Sequence, residues 1–283
     1  MSLGLLRNIL NIKNKMNLSI SNIAWESKYD SKVASLLYNK GIRYVDIAPT
    51  KYIKDFSKIN FKKLERIKKS WLDYGISIYG IQSLFFGTKS LNLFSNFFIR
   101  EKMLKHLECI CQVSKTLNAK RLVFGSPLNR NITLANGHNI EDIYIDFFRS
   151  LSEIAYKYEL TVCLEPNPAI YNCNFMTNSK ETSLVVKKVN RDNIRMQLDT
   201  GSIIINNENP SDICKKYKHI ISHIHISAPN LIPIDIDDSL QRNCFLEVKR
   251  SFSSSVLTLE MLPKKKYDFI SEIEFCLDSL INL

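Results

Sequence analysis

The stretch TVCLEPNP, Thr161–Pro168, poses the question that decides the fold. Its opening residues read as a buried strand, yet the run ends in a glutamate with a proline straight after it. A carboxylate there either stands at the mouth of a site or carries an uncompensated burial cost. Working outward, the same phrase recurs along the chain: NLSISNIAW (17–25), RYVDIAP (43–49), ISIYGIQS (76–83), RLVFGSP (121–127), LTVCLEPN (160–167), IRMQLDTG (194–201), SHIHIS (222–227) and SVLTLEM (255–261). These eight runs are spaced about 25 to 45 residues apart, which is what a parallel strand pair needs for a crossover helix.

Amphipathic segments fill the gaps, among them SKVASLLYNKG, FKKLERIKKSWLDYG and REKMLKHLECICQVSKTLNAK. Gly41, Gly75 and Asn118 close them just before the next strand, as helix C-caps do. No linker or low-complexity tract divides the chain, and no GxGxxG follows the first strand, which argues against a doubly wound open sheet. The pattern predicts an α/β protein, a single (β/α)8 TIM barrel over residues 16–283 with its site at the C-terminal ends of the strands. Residues 1–15 read as an N-terminal extension, with Met16 as an alternative start.

Alternate residues of a barrel strand point inward, so parity tests the idea. With Glu165 inward, Cys163 and Thr161 share its face; Asp199 aligns with Gln197 and Arg195, His225 with His223 and Ser227, and Glu260 with Thr258 and Val256. Strands five to eight would each deliver one metal-competent side chain near the C-terminal end. Singly, each has a plainer reading: a strand-end carboxylate is often a helix N-cap or turn former, and Asp199 in LDTGS is ordinary turn chemistry. His223 and His225 could be satisfied core histidines. Four in register favour a site. Three carboxylates and one imidazole suit Mn²⁺, Mg²⁺ or Co²⁺, with Zn²⁺ admitted, and a cation relieves the repulsion among the carboxylates.

Composition sets the surroundings. The chain has 283 residues, 45% hydrophobic and 24% charged, enough for a sizeable core. A formal charge of +11 favours an anionic partner, but the lysines (Lys62, Lys63, Lys68, Lys69; Lys187, Lys188; Lys215, Lys216, Lys218) lie along helix faces and read as solvated surface. Seven cysteines, an odd number without a CxxC pair, suit buried thiols in a reducing compartment. With no membrane-length apolar run and no proper signal peptide, the expected location is cytoplasmic.

The motifs SNIAW, DIAPTKY, GIQSLFFGT, RLVFGSPLNR, VCLEPNP, NFMT, MQLDTG, HIH and LTLEM resemble the xylose isomerase-like TIM-barrel superfamily of sugar and sugar-phosphate isomerases and epimerases. The resemblance runs from about Met16 onward. It implies a divalent metal held by Glu165, Asp199, His225 and Glu260, with Glu165 and Glu260 on opposite sides of a substrate as the catalytic acid and base. His225 is preferred to His223 because it lies nearer the strand's C-terminal end. Many epimerases of this group carry a histidine three residues after the strand-six aspartate; here that position is Ser202.

Further candidates at the strand ends are Asn22, Trp25, Asp46, Lys51, Gln82, Ser126, Arg130, Asn167, Gln197 and His223. Lys51 and Arg130 suit a phosphate or carboxylate, or are exposed loop cations. Trp25 would stack on a sugar face or plug the barrel mouth. The expected partner is a small carbohydrate, phosphorylated or not, rather than nucleic acid or membrane; barrels of this kind commonly pair through their helices, so a homodimer is compatible. Other readings are a dehydratase or lyase on a similar hydroxy-carbonyl compound, a non-catalytic sugar-binding barrel, and an apurinic endonuclease. The last needs a zinc cluster rich in histidine, and the chain has only His106, His138, His219, His223 and His225.

Overall fold

The structure, a computed structural model, describes residues 16–88, 90–264 and 268–283. The expected extension over residues 1–15 lies outside the described residues. Eight parallel strands close into a barrel in sequence order: β1 (Asn17–Ser21), β2 (Tyr44–Ile47), β3 (Ser77–Ile81), β4 (Arg121–Phe124), β5 (Thr161–Leu164), β6 (Ile194–Asp199), β7 (Ile221–Ser227) and β8 (Val256–Glu260), with β8 pairing back to β1. Each begins within one residue of its sequence-predicted start, but most of the predicted runs continue two to four residues too far.

The crossovers are α1 (Asp30–Asn39), α2 (Phe61–Leu72), α3 (Phe97–Leu117), α4 (Ile140–Lys157), α5 (Ser179–Val189), α6 (Thr200–Ile205), α7 (Pro210–Tyr217), α8 (Ser239–Ser251) and α9 (Phe269–Asn282). Asparagine starts many of them. Side chains of Asn60, Asn96, Asn139, Asn178 and Asn209 accept backbone N–H bonds at the first turns of α2, α3, α4, α5 and α7. Asn118 and Asn190 take left-handed φ of 61° and 51° at the ends of α3 and α5. A chain rich in asparagine thus uses it where helices begin and end.

The apolar core lies between barrel and helices. Ile20, Val45, Leu122, Phe124, Val162, Leu164, Leu198, Ile224, Ile226 and Leu259 alternate outward along the strands and pack with helix residues such as Leu37, Leu64, Leu107 and Phe148. The barrel interior is different. Ser19, Asp46, Cys163, Gln197, His223 and Thr258 are all at most 1% exposed, where barrels of this type usually stack branched aliphatics. Polarity inside and oil outside mean that the interior is arranged for chemistry as well as packing.

Among the described residues no helix is long and apolar enough to cross a membrane. All seven cysteines are free thiols, and every one except the half-buried Cys109 is buried.

Candidate metal centre

Glu165 follows β5 directly, Asp199 and Glu260 are the last residues of β6 and β8, and His225 lies two residues before the end of β7. Parallel register does the rest. Asp199 is paired with His225 and Glu260 with Ser227, so the strand ends stand at one height. One ligand atom from each of Glu165, Asp199, His225 and Glu260 lies within 4.8 Å of the others. These four residues could hold a metal ion.

The carboxylates are held in two different ways. Asp199 has both oxygens engaged: Oδ1 accepts from Ser202 N–H at 2.7 Å, which caps α6, and Oδ2 accepts from Ser227 Oγ at 2.7 Å. The plain reading of Asp199 as an N-cap is therefore true as well, and it aims the side chain. The glutamates share another arrangement. Glu165 accepts from Asn167 Nδ2 through Oε2 at 3.2 Å and places Oε1 3.4 Å from His225 Nδ1. Glu260 accepts from Gln82 Nε2 through Oε1 at 2.5 Å and places Oε2 3.1 Å from the same nitrogen. Each glutamate thus has one oxygen pinned by an amide and one turned to the centre.

Space is reserved for this arrangement. A Cβ at Gly125, just past β4, would lie 2.0 Å from Glu165 Oε2. One layer below, Asp46 Oδ2 lies 2.8 Å from His223 Nε2 and 3.6 Å from His225 Nε2. A Cβ at Gly80 would come within 2.8 Å of His223 Nε2 and 3.0 Å of both Asp46 oxygens. Asp46, His223 and His225 form a second group with metal-ligand atoms within 4.8 Å.

The electrostatics follow from burial and crowding. Burial and the charges of Glu165 and Glu260 push the Asp199 carboxyl up to about 7. Burial alone would lower His225, but Glu260 and the bonds from Asp46 and Glu165 outweigh it and raise it well above the ordinary range. Burial would raise Glu260 too, yet His225 and Gln82 bring it below the usual carboxylate value. For Asp46 the two imidazoles overcome burial and hold the carboxyl low. A centre that drives one of its own carboxyls to keep a proton at neutral pH lacks positive charge, and three carboxylates with one imidazole fit a divalent ion.

Above the centre opens a cavity of about 710 Å³ lined by Gln82, Glu165, Asn167, Asp199, His225 and Glu260 together with apolar loop residues. Ser126 and Ser202 line it too. The remaining sequence-predicted residues lie elsewhere. Asn22 is buried, accepting from Ala48 N–H and donating to Tyr52. Trp25 is buried 6.3 Å from Trp71 and donates to Asp30. Lys51 donates to the carbonyls of Trp25 and Ile23. Arg130 is fully buried and donates to the Glu165 carbonyl at 2.8 Å and Asn167 Oδ1 at 2.5 Å. Gln197 and His223 are buried beside each other on β6 and β7, a layer below the centre. Sequence parity set Ser227 on the inward face with His225 without giving it a role, and it did not single out Gly125, which stands inside a strand-end motif.

The closed parallel barrel with a metal-competent cluster at its C-terminal rim defines a TIM-barrel protein. The profile of the xylose isomerase-like TIM barrel family matches residues 35–236, and the chain belongs to that family. Similar solved structures include a D-psicose 3-epimerase in the presence of D-fructose (16% identity, 94% of this chain and 97% of that one, TM-score 0.73). Another is the 3-keto-D-glucoside 4-epimerase YcjR from E. coli (13%, 95% and 100%, TM-score 0.73). A third is the IOLI protein with a zinc atom (17%, 94% and 98%, TM-score 0.67). At these identities the likeness is one of fold. No curated protein matches the chain.

Proposed function

We propose that the chain is a divalent-metal-dependent sugar isomerase or epimerase that moves a proton beside a carbonyl. Glu165, Asp199, His225 and Glu260 would hold the ion, with Mn²⁺, Mg²⁺ or Co²⁺ favoured by the oxygen-rich set. The observation that carries the reading is the matched setting of the two glutamates, each with one oxygen pinned by an amide and one free toward the centre. The epimerase names among the structural neighbours support a carbohydrate substrate.

A bound divalent cation supplies the charge that makes a hydrogen beside a carbonyl acidic enough to leave at neutral pH. Either glutamate takes that proton on its centre-facing oxygen, and the other delivers one to the opposite face or the neighbouring carbon. Asn167 and Gln82 fix the two carboxylates so that neither swings away between the steps. Asp199, aimed by its bonds from Ser202 N–H and Ser227 Oγ, would help hold the ion. Arg130 binds the carbonyl of Glu165 and the amide that pins it, and so fixes that loop.

The test is deuterium uptake from solvent, at a carbonyl-adjacent carbon, across a panel of aldoses and ketoses with Mn²⁺-loaded protein. Label is expected for at least one sugar and lost in both Glu165→Gln and Glu260→Gln. Failure of every sugar to label, or labelling that survives both substitutions, would overturn the reading.

A further inference from the structure

The cavity over the centre has two chemically separate halves. Its floor is polar and acidic, made of strand-end residues including Glu165, Asp199 and Glu260. Its wall is apolar, contributed by Phe85, Phe86, Val123 and Leu128 from the ends and loops of β3 and β4, and by Leu231 after β7. Phe86 and Leu128 are 74% and 70% exposed, so two large apolar side chains meet water at the entrance to an acidic floor. Such exposure next to a polar site marks a surface kept for a ligand.

The cations tell the same story by where they are spent. Among the described residues no lysine or arginine lines the cavity. Arg130 is buried with its guanidinium on Glu165 and Asn167, and Lys51 is on main-chain carbonyls. A phosphate entering here would meet three carboxylates and, among the described residues, no cationic side chain. A volume of about 710 Å³ lies in the range of drug-sized ligands, well beyond what one monosaccharide ring occupies.

Resting on the proposed function, we infer that the substrate is an uncharged carbohydrate derivative carrying an apolar substituent, aryl or alkyl. Its hydroxy-carbonyl end meets Glu165 and Glu260 on the floor. Its substituent lies along Phe86 and Leu128, where water leaves both surfaces. Phosphorylated sugars are set aside. The apolar wall and the acidic floor belong to one cavity, which is why a small molecule rather than a second copy of the chain is assigned to it.

The experiment titrates Mn²⁺-loaded full-length protein with D-fructose, D-fructose 6-phosphate and 6-O-benzyl-D-fructose, which all keep the hydroxy-ketone end, by isothermal calorimetry. The sugar carrying the phenyl ring is expected to bind about tenfold or more tighter than D-fructose, and the phosphate no tighter than D-fructose. Phe86→Ser and Leu128→Ser should each remove most of the phenyl advantage while Mn²⁺ content stays unchanged. Tighter binding of the phosphate overturns the inference, as does the absence of a phenyl preference or a preference that survives both substitutions. Sedimentation adds one more arm: a dimer that Phe86→Ser dissociates would assign the wall to a second copy and overturn it too. Binding is read without turnover, so a failure here is distinct from a failure of the proton-transfer reading, which rests on the deuterium label alone.

Discussion

Asp46 has no exposed surface, and its Oδ2 lies 2.8 Å from His223 Nε2 and 3.6 Å from His225 Nε2, so its charge serves the two imidazoles. By facing His225 Nε2 it leaves Nδ1 toward Glu165 and Glu260, the orientation a metal-ligating histidine needs. Asp46→Asn should weaken Mn²⁺ binding by about 10- to 100-fold, measured by titration of the metal-free protein, with an unchanged circular dichroism spectrum. Protons compete for the same centre. The Asp199 carboxyl is raised from 3.8 to about 7, so the folded chain holds that proton more tightly than the unfolded one. Raising the pH from about 4 to 7 therefore withdraws this group's stabilisation from the metal-free protein. An entering ion must displace this proton and the one that His225 holds above the ordinary range, so Mn²⁺ affinity should climb at least about tenfold per pH unit below pH 7 and go on rising above it, as calorimetry in buffers of different ionisation enthalpy would show. Residue alternation alone made Glu165, Asp199, His225 and Glu260 legible. It placed Asp46 on strand two without its depth, because depth depends on how neighbouring strands pair, and β2 slips against β3 between Val45 and Asp46.

At the scale of elements, the strands end where the site begins. The sequence patterns ran past the ends of β1 to β6 because residues there keep apolar or β-branched character while leaving the ladder: Gly125 makes room for Glu165, Asn167 turns back to pin it, and Thr200 bonds Ser227 across two strand ends. Side-chain partners have replaced backbone ladder partners, and composition does not register that exchange. Seven of the eight strand starts fall at or one residue after the predicted start, and β7 starts one residue before it, since parallel pairing at the bottom of the barrel follows the apolar pattern directly. Gly125 offers a test of the β4 end. Gly125→Ala puts a methyl 2.0 Å from Glu165 Oε2 and must displace that carboxylate. Solvent deuterium exchange should fall by at least about 100-fold, as expected when a catalytic group moves by an ångström, with folding retained. Retained exchange would show that the Glu165 position is not critical.

The whole molecule has a formal charge of +11, and among the described residues the lysine-rich faces of α2, α5 and α7 point outward while the C-terminal rim of the barrel is acidic. The exposed lysines of α2, α5 and α7 bear out the reading of solvated surface, and none of them lines the cavity. What holds the axis together is thus an internal matter. Glu165, Asp199 and Glu260 are gathered within ligand distance, and little of their surface reaches water. Without an ion the barrel must tolerate that repulsion or retain protons, and either one costs stability. An ion that binds only the folded state adds about 4 kcal/mol at a free concentration a thousandfold above its dissociation constant. For a chain of this size that corresponds to a shift in melting temperature on the order of 10 °C. Chelation should therefore lower the melting temperature by about that amount at pH 7.5, and Mn²⁺ should restore it. In Asp199→Asn the metal-free protein should melt higher than the metal-free parent, since the carboxyl whose charge the fold disfavours is gone, while Mn²⁺ should raise it much less. Equal melting temperatures for the chelated and Mn²⁺-loaded parent would show that the cluster holds no ion.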